Sequence, residues 1–205
     1  MAIQMGRRVA AFDWADDVLT DLHRFDALLI GPGLGRHDRT VPSVARSVAD
    51  AVVPTVVDGD GLFALSWNEQ GTPAFLVDRG VPTVLTPHDG EYALLTGAPP
   101  GADRVAAVRR LVELSGCVVL LKGPTTIVGD ASGRIRFIAD GDERLATAGT
   151  GDVLAGVIAA LLAMGAAPID AASGGAWLHA QAGRHLPRRG VIAGDLVDAI
   201  PLVLA

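Results

Sequence analysis

Short apolar runs that each break off into a polar, glycine-bearing cluster recur along this chain, and they constrain its fold more than any other feature. ALLIGPGLGR (27–36), VVPTVVDGDG (52–61), VPTVLTPHDGE (81–91) and CVVLLKG (117–123) share the pattern. A short run without polar alternation suits a strand covered on both faces, as in a parallel sheet. Helical patterns separate the runs. One covers about 39–51, and Val105, Val108, Leu111 and Val112 recur at helical spacing after Asp103, predicting an amphipathic helix over 103–115. Strands alternating with helices predict an α/β fold with a mostly parallel central sheet, helices on both faces, and ligands at the strands' C-terminal ends.

The segment 125–140 reads differently. Arg134, Ile135, Arg136 and Phe137 alternate polar with apolar, which predicts a half-exposed, antiparallel strand after the turn Asp130–Gly133. Three helices are expected to close the chain, at about 151–165, 170–186 and 191–204.

At 205 residues, half of them hydrophobic and 20% charged, the chain supports one well-buried domain, residues 1–205. The net charge of −6 gives no electrostatic case for nucleic acid or an anionic membrane surface. Any phosphate ligand must then be held by local amides, a few basic side chains or a metal ion. The uncharged stretch Val153–Ile169 is interrupted by Gly156, Gly165 and Pro168 and reads as a buried core helix. A lone cysteine, Cys117, lies in an apolar run; it excludes an intramolecular disulfide and fits a cytoplasmic protein. No secretory signal is apparent, because acidic residues stand where its apolar core would be.

Five polar clusters fall at the expected sheet edge: Gly31–Gly35, Asp58–Asp60, Thr86–Glu91, Lys122–Thr126 and Ala148–Asp152. The last carries the most chemistry. Gly149, Thr150 and Gly151 precede Asp152 at the start of a long apolar helix, where unpaired N–H groups and the macrodipole favour an anion. A carboxylate beside an anion site suits a general base for phosphoryl transfer, although Asp152 could equally be an ordinary N-cap. GPGLGR is not a dinucleotide fingerprint, since Arg36 stands where the third glycine belongs. Asp58 reads as a site carboxylate of a kind that often serves magnesium, and Asp60 as turn chemistry. His88 and Glu91 lie three apart at a helix start, which fits either a ligand-positioning histidine or a capping arrangement. Lys122-Gly123-Pro124-Thr125-Thr126 lacks P-loop order, yet a nucleotide could lie across it with Lys122 near the phosphates.

In this order, with LATAGTGDVLAGVIAALLAMG, GAWLHAQAG and VIAGDLVDAIP completing the match, the chain resembles the ADP-dependent NAD(P)H-hydrate dehydratases of the ribokinase-like fold. The resemblance covers nearly everything from about residue 27 onward. It implies a three-layer α/β/α architecture and a hydro-lyase that repairs hydrated NADH or NADPH. ADP or ATP, with Mg2+, would phosphorylate the ring hydroxyl, and phosphate would then leave. By the same resemblance Asp152 is the base and touches substrate. Gly149, Thr150 and Gly151 form the anion hole, and Lys122, Gly123, Pro124, Thr125, Thr126 and Gly151 bind the nucleotide. Gly33 and His88 contact the hydrated dinucleotide, and Glu91 is a magnesium-linked acid. A homo-oligomer is implied as well. Members of the family begin with a glycine- and alanine-rich strand–helix segment, and the chain is read as lacking it. Two alternatives stand beside this reading: a ribokinase-like kinase for a vitamin-precursor alcohol, and an inactive nucleotide-binding remnant.

Overall fold

The computed structural model describes residues 14–67 and 76–204. Helix α1 (Ala15–Asp21) and a single turn of 3-10 helix lead into strand β1 (Leu28–Ile30). There follow α2 (Thr40–Asp50), β2 (Thr55–Val57), α3 (Asp60–Ser66), β3 (Thr83–Leu85), α4 (Asp89–Thr96), α5 (Arg104–Ser115) and β4 (Val118–Leu121). Strands β5 (Thr126–Gly129) and β6 (Ile135–Ile138) complete the sheet, and α6 (Thr150–Ala163), α7 (Pro168–Arg184) and α8 (Ala193–Leu204) close the chain.

Among the described residues six strands lie in sequential order, with β1 to β4 parallel and the β4–β5 and β5–β6 pairs antiparallel. Sequential parallel strands joined by right-handed crossovers must place every crossover helix on the same face. Strand periodicity shows the consequence. Val57, Leu85, Val119, Leu121 and Ile127 pack with Val44, Leu62, Tyr92 and Leu111 from α2 to α5. Their neighbours Val56, Val84, Leu120 and Val128 point the other way, onto Leu154, Ile158 and Leu162 of α6 and Ile169 of α7. Both faces are therefore covered, as the uninterrupted apolar runs require. Cys117 is buried and its thiol is pushed up to about 11, chiefly by burial, which leaves no thiolate for catalysis.

Two features differ from the sequence reading. Helices α1 and α3 are additional, and Asp60 opens α3 where a simple turn is expected. The alternation over 134–137 does mark a strand, with Ile135 packed against the core, but the pattern fails at Phe137 and Arg136. Phe137 is 61% exposed. Arg136 instead turns toward α7, donating to Ser173 Oγ at 2.7 Å and pairing with Asp170 at 2.6 Å. Polar groups on α7 receive the arginine, while Ile135 at the start of the strand packs against the core on the opposite face. The Asp130–Gly133 turn is as expected, with the Gly133 N–H donating to the Asp130 carbonyl at 3.0 Å.

Candidate active site

All five polar clusters follow the ends of neighbouring strands or open a helix beside them, and side chains far apart in sequence meet there. Asp58, at the end of β2, is 2% exposed. Its Oδ1 accepts from Thr86 Oγ1 at 2.8 Å and from Lys122 Nζ at 2.7 Å. The same ammonium lies 3.4 Å from Glu91 Oε2, and that carboxylate is also buried. One lysine thus serves two buried carboxylates, the arrangement that makes such burial tolerable.

Glycines allow the backbones to approach. A Cβ on Gly31 would lie 1.8 Å from the Asp58 carbonyl oxygen, and its φ of 130° is one that other residues rarely adopt. The 31–36 loop is therefore seated directly on the 58–61 turn. Asp60 then locks its tip: Oδ2 accepts from the Gly35 N–H at 2.8 Å and Oδ1 from Arg36 Nε at 2.9 Å. The Arg36 guanidinium stacks 4.9 Å over the Phe63 ring. These contacts give Asp60 a specific task beyond turn formation. Asp60→Ala is expected to cost about 1–2 kcal/mol, the range for hydrogen bonds to a partly exposed charge. Amide hydrogen exchange should accelerate at Gly33 to Arg36 and leave α6 unchanged.

His88 and Glu91 form a reciprocal capping box on α4. His88 Nδ1 accepts from the Gly90 and Glu91 N–H groups at 3.0 and 3.2 Å, and Glu91 Oε2 accepts from the His88 N–H at 2.9 Å. In the neutral ring the proton is then on Nε2, which lies 3.5 Å from Glu91 Oε1, while the side chain as a whole is 57% exposed. The capping alternative is thereby realised in geometry, with the outer edge of His88 still available to a ligand. Gly33 is exposed, with open space where a Cβ would stand.

At the start of α6 the N-cap is Gly149, at φ 86° and without a side-chain cap, and Ala193 of α8 would lie 3.1 Å from its Cβ. The first helical residue, Thr150, is buried. Its hydroxyl is directed to the Leu145 and Thr147 carbonyls at 2.6 and 2.8 Å, and its N–H bonds Thr147 O at 3.2 Å. Thr150 therefore braces the turn, while the Gly149, Gly151 and Asp152 N–H groups donate to none of the described residues. Asp152 sits in the first turn and is not the cap. Its carboxylate accepts no hydrogen bond from the described residues. Surrounding protein, then the charges of Asp58 and Asp60, push its pKa up, and Lys122 opposes them.

Lys122–Thr125 forms the hairpin loop between β4 and β5, with Thr126 the first residue of β5 and Leu121 paired with Ile127. Beside it opens a cavity of about 520 Å³, lined by Lys122, Gly123, Pro124 and Thr126 on one wall and by Thr150 and Gly151 on another. Ile138, Leu154 and Ala176 give it an apolar end, a size and lining suited to a nucleotide-sized ligand. Gly33, His88, Glu91 and Asp152 lie outside that lining. A Cβ on Gly151 would stand 3.6 Å from Lys122 Nζ and 3.9 Å from Asp58 Oδ2, so the lysine–carboxylate pair adjoins the helix start. Buried His179 of α7 also lines the cavity, and burial pushes its pKa down. Nothing in its local sequence announces this position. Among the described residues, no group of three or more His, Cys, Asp or Glu side chains forms a metal cage. No helix among them is long and apolar enough to cross a membrane.

A family model described as NAD(P)H-hydrate dehydratase matches residues 4–202. The bifunctional NAD(P)H-hydrate repair enzyme of Mycobacterium leprae is 43% identical over 159 residues, 78% of this chain and 33% of that protein. The chain spans about a third of the length of the curated relatives it matches. Among solved structures, an ADP/ATP-dependent NAD(P)H-hydrate dehydratase from Bacillus subtilis, co-crystallized with ATP/Mg2+, aligns with a TM-score of 0.76 at 27% identity. That alignment covers 87% of this chain and 64% of the other. A ribokinase-like superfamily protein from Enterococcus faecalis aligns with a TM-score of 0.78 at 28% identity, covering 94% and 67% of the two chains.

Proposed function

The chain belongs to the NAD(P)H-hydrate dehydratase family, and on that premise we propose that it dehydrates hydrated NADH or NADPH at the expense of an adenine nucleotide. The observation that carries the reading is the Asp152 carboxylate, which accepts no hydrogen bond from the described residues, next to Gly151, whose free amide stands at a residue lining the nucleotide-sized cavity. In this mechanism the nucleotide lies along Lys122–Thr126, with its base in the apolar end of the cavity. Its terminal phosphoryl group meets the Gly151 and Asp152 N–H groups at the positive end of α6. Asp152 takes the proton from the ring hydroxyl as the oxygen attacks phosphorus, and the nucleotide departs one phosphoryl group shorter. The new C–O–P bond then cleaves, the oxygen leaving with phosphate and a ring proton being lost as the dihydropyridine double bond returns. Hydroxide is a poor leaving group and phosphate a good one, which is the chemical reason to spend a nucleotide.

The described residues form no three-carboxylate cage, which agrees with magnesium's habit of binding through one or two carboxylates plus water and phosphate. Glu91 would be one such carboxylate, and the ion would supply neutralisation of phosphate charge. His88 Nε2 and the loop bearing Gly33 would contact the dinucleotide. We read residues 1–205 as one domain, because the described strands share one sheet. A cytoplasmic homo-oligomer without nucleic-acid partners completes the proposal.

Purified protein with ADP or ATP and magnesium should restore reduced-nicotinamide absorbance from hydrated NADH and release orthophosphate. A stable phosphoester product from an added alcohol, without that recovery, would instead identify a kinase. Nucleotide binding with neither reaction would identify a remnant. The rate should also fall on the acid side as pH drops through the raised pKa of Asp152, above the usual aspartate range, since only the ionised carboxylate accepts the proton. An acid limb at the ordinary aspartate value would remove Asp152 from the base role.

A further inference from the structure

Arg104 occupies the first position of α5, where a cation opposes the helix macrodipole. Its Nε is buried and has no partner among the described residues, a second local cost. What the side chain does lies outside its own helix. Nη1 donates to both oxygens of Asp89, at 2.8 and 3.0 Å, and Nη2 donates to the carbonyl of Lys122 at 2.8 Å. Asp89 is the first residue of α4, between His88 and Glu91 in chain order. The guanidinium therefore bridges the first turn of α4 to the start of the 122–126 loop.

The bridge fits tightly. A Cβ on Gly123 would lie 2.7 Å from Arg104 Nη2, so a glycine follows Lys122 where the guanidinium passes. From the other side, the Lys122 N–H donates to Pro87 O at 2.8 Å. Both main-chain groups of Lys122, and its ammonium, are thus fixed to groups in the 58–104 region. Gly123 and Pro124 are exposed beyond it, and an exposed hairpin loop is mobile unless tied at its base. Arg104 is absent from the cavity lining.

We propose that Arg104 is a positioning residue for nucleotide binding: its fork clamps the Lys122 carbonyl to Asp89 and holds the 122–126 loop in its binding shape. This rests on the nucleotide role given above to that loop. A planar, two-sided fork is required, which lysine supplies only in part.

The test compares R104K, R104M and D89N with the unaltered protein by ADP calorimetry, steady-state kinetics and amide hydrogen exchange. R104M should weaken ADP binding about tenfold, the effect of one lost charge-assisted hydrogen bond. R104K should fall between R104M and the unaltered protein. The KM for hydrated dinucleotide should not move, and exchange at Gly123 and Thr125 should accelerate while α6 stays protected. Unchanged ADP affinity in R104M and R104K, or unchanged exchange at Gly123 and Thr125, would overturn the clamp. So would parallel weakening of both substrates in proportion to lost Tm, the mark of a merely structural arginine. If R104M does not fold, R104K and D89N decide by the same readouts. Unaltered protein that binds ADP but converts no hydrate would overturn the reaction, leaving the clamp to be judged by affinity and exchange.

Discussion

Asp152→Asn is expected to lower kcat about 10³-fold, within the range removed with a general base, while ADP still binds. Asparagine keeps the shape of the side chain and cannot accept the hydroxyl proton. The Gly151 and Asp152 amides are unaffected, so the anion site persists. The same substitution should stabilise the fold at neutral pH. In the folded protein the Asp152 carboxyl holds its proton to a higher pH than in the unfolded chain. Between the two values the unfolded state binds fewer protons, so stability falls as pH rises through that window and stays lower above it. Asparagine removes the loss, and the gain in Tm should be present at pH 7 and vanish in acid. Recovery of hydrated NADH unaffected by Asp152→Asn would sink the mechanism. This is a stability–activity conflict of the sort active sites commonly show.

Lys122→Met carries the second large effect. Its ammonium is shared by Asp58 and Glu91, whose side chains are 2% and 5% exposed, while the lysine is itself 20% exposed. Removing it strands two buried carboxylates. The expected loss is about 2–3 kcal/mol, below the ~3–5 kcal/mol of a fully buried pair because solvent reaches the lysine. For a chain of this size that corresponds to roughly 5–10 °C in Tm. Adding Asp58→Asn should restore part of the stability and none of the nucleotide binding, a non-additivity that a double-mutant cycle reads directly. Because Lys122 also lowers the pKa of Asp152, the acid limb of any residual activity should move to higher pH. Full additivity of the two substitutions would mean that the lysine and Asp58 do not depend on each other.

Much of the fold was legible in the chain. Apolar runs without alternation could only be strands covered on both faces, and the helical spacing of Val105, Val108, Leu111 and Val112 marked α5 closely. The exception at β6 is instructive. Alternation identified the strand, but which face is buried depended on what stands beside it: Arg136 found Ser173 and Asp170 on α7, and Phe137 was left outside. The short α3 was also hidden, because Asp-Gly-Asp-Gly reads equally as a turn or as a helix start.

The site divides along the same line. Its local parts were readable: a glycine-capped helix start before Asp152, a His88–Glu91 pair at capping distance, a Lys-Gly-Pro turn after a buried strand. These are properties of a few consecutive residues, fixed by backbone geometry and helix ends. Their partnerships were not readable. Lys122 reaches Asp58 across 64 residues, Asp60 holds a loop 25 residues earlier, and Arg104 joins Asp89 to the Lys122 carbonyl. Sequence alone determined the alternating architecture and the inventory of reactive groups at the strand ends. Tertiary structure alone decided which charges neutralise one another and which site carboxylate, Asp152, finds no partner among the described residues. Ion pairs form between whatever groups the packed strands and helices bring within a few ångströms, and periodicity carries no record of that distance.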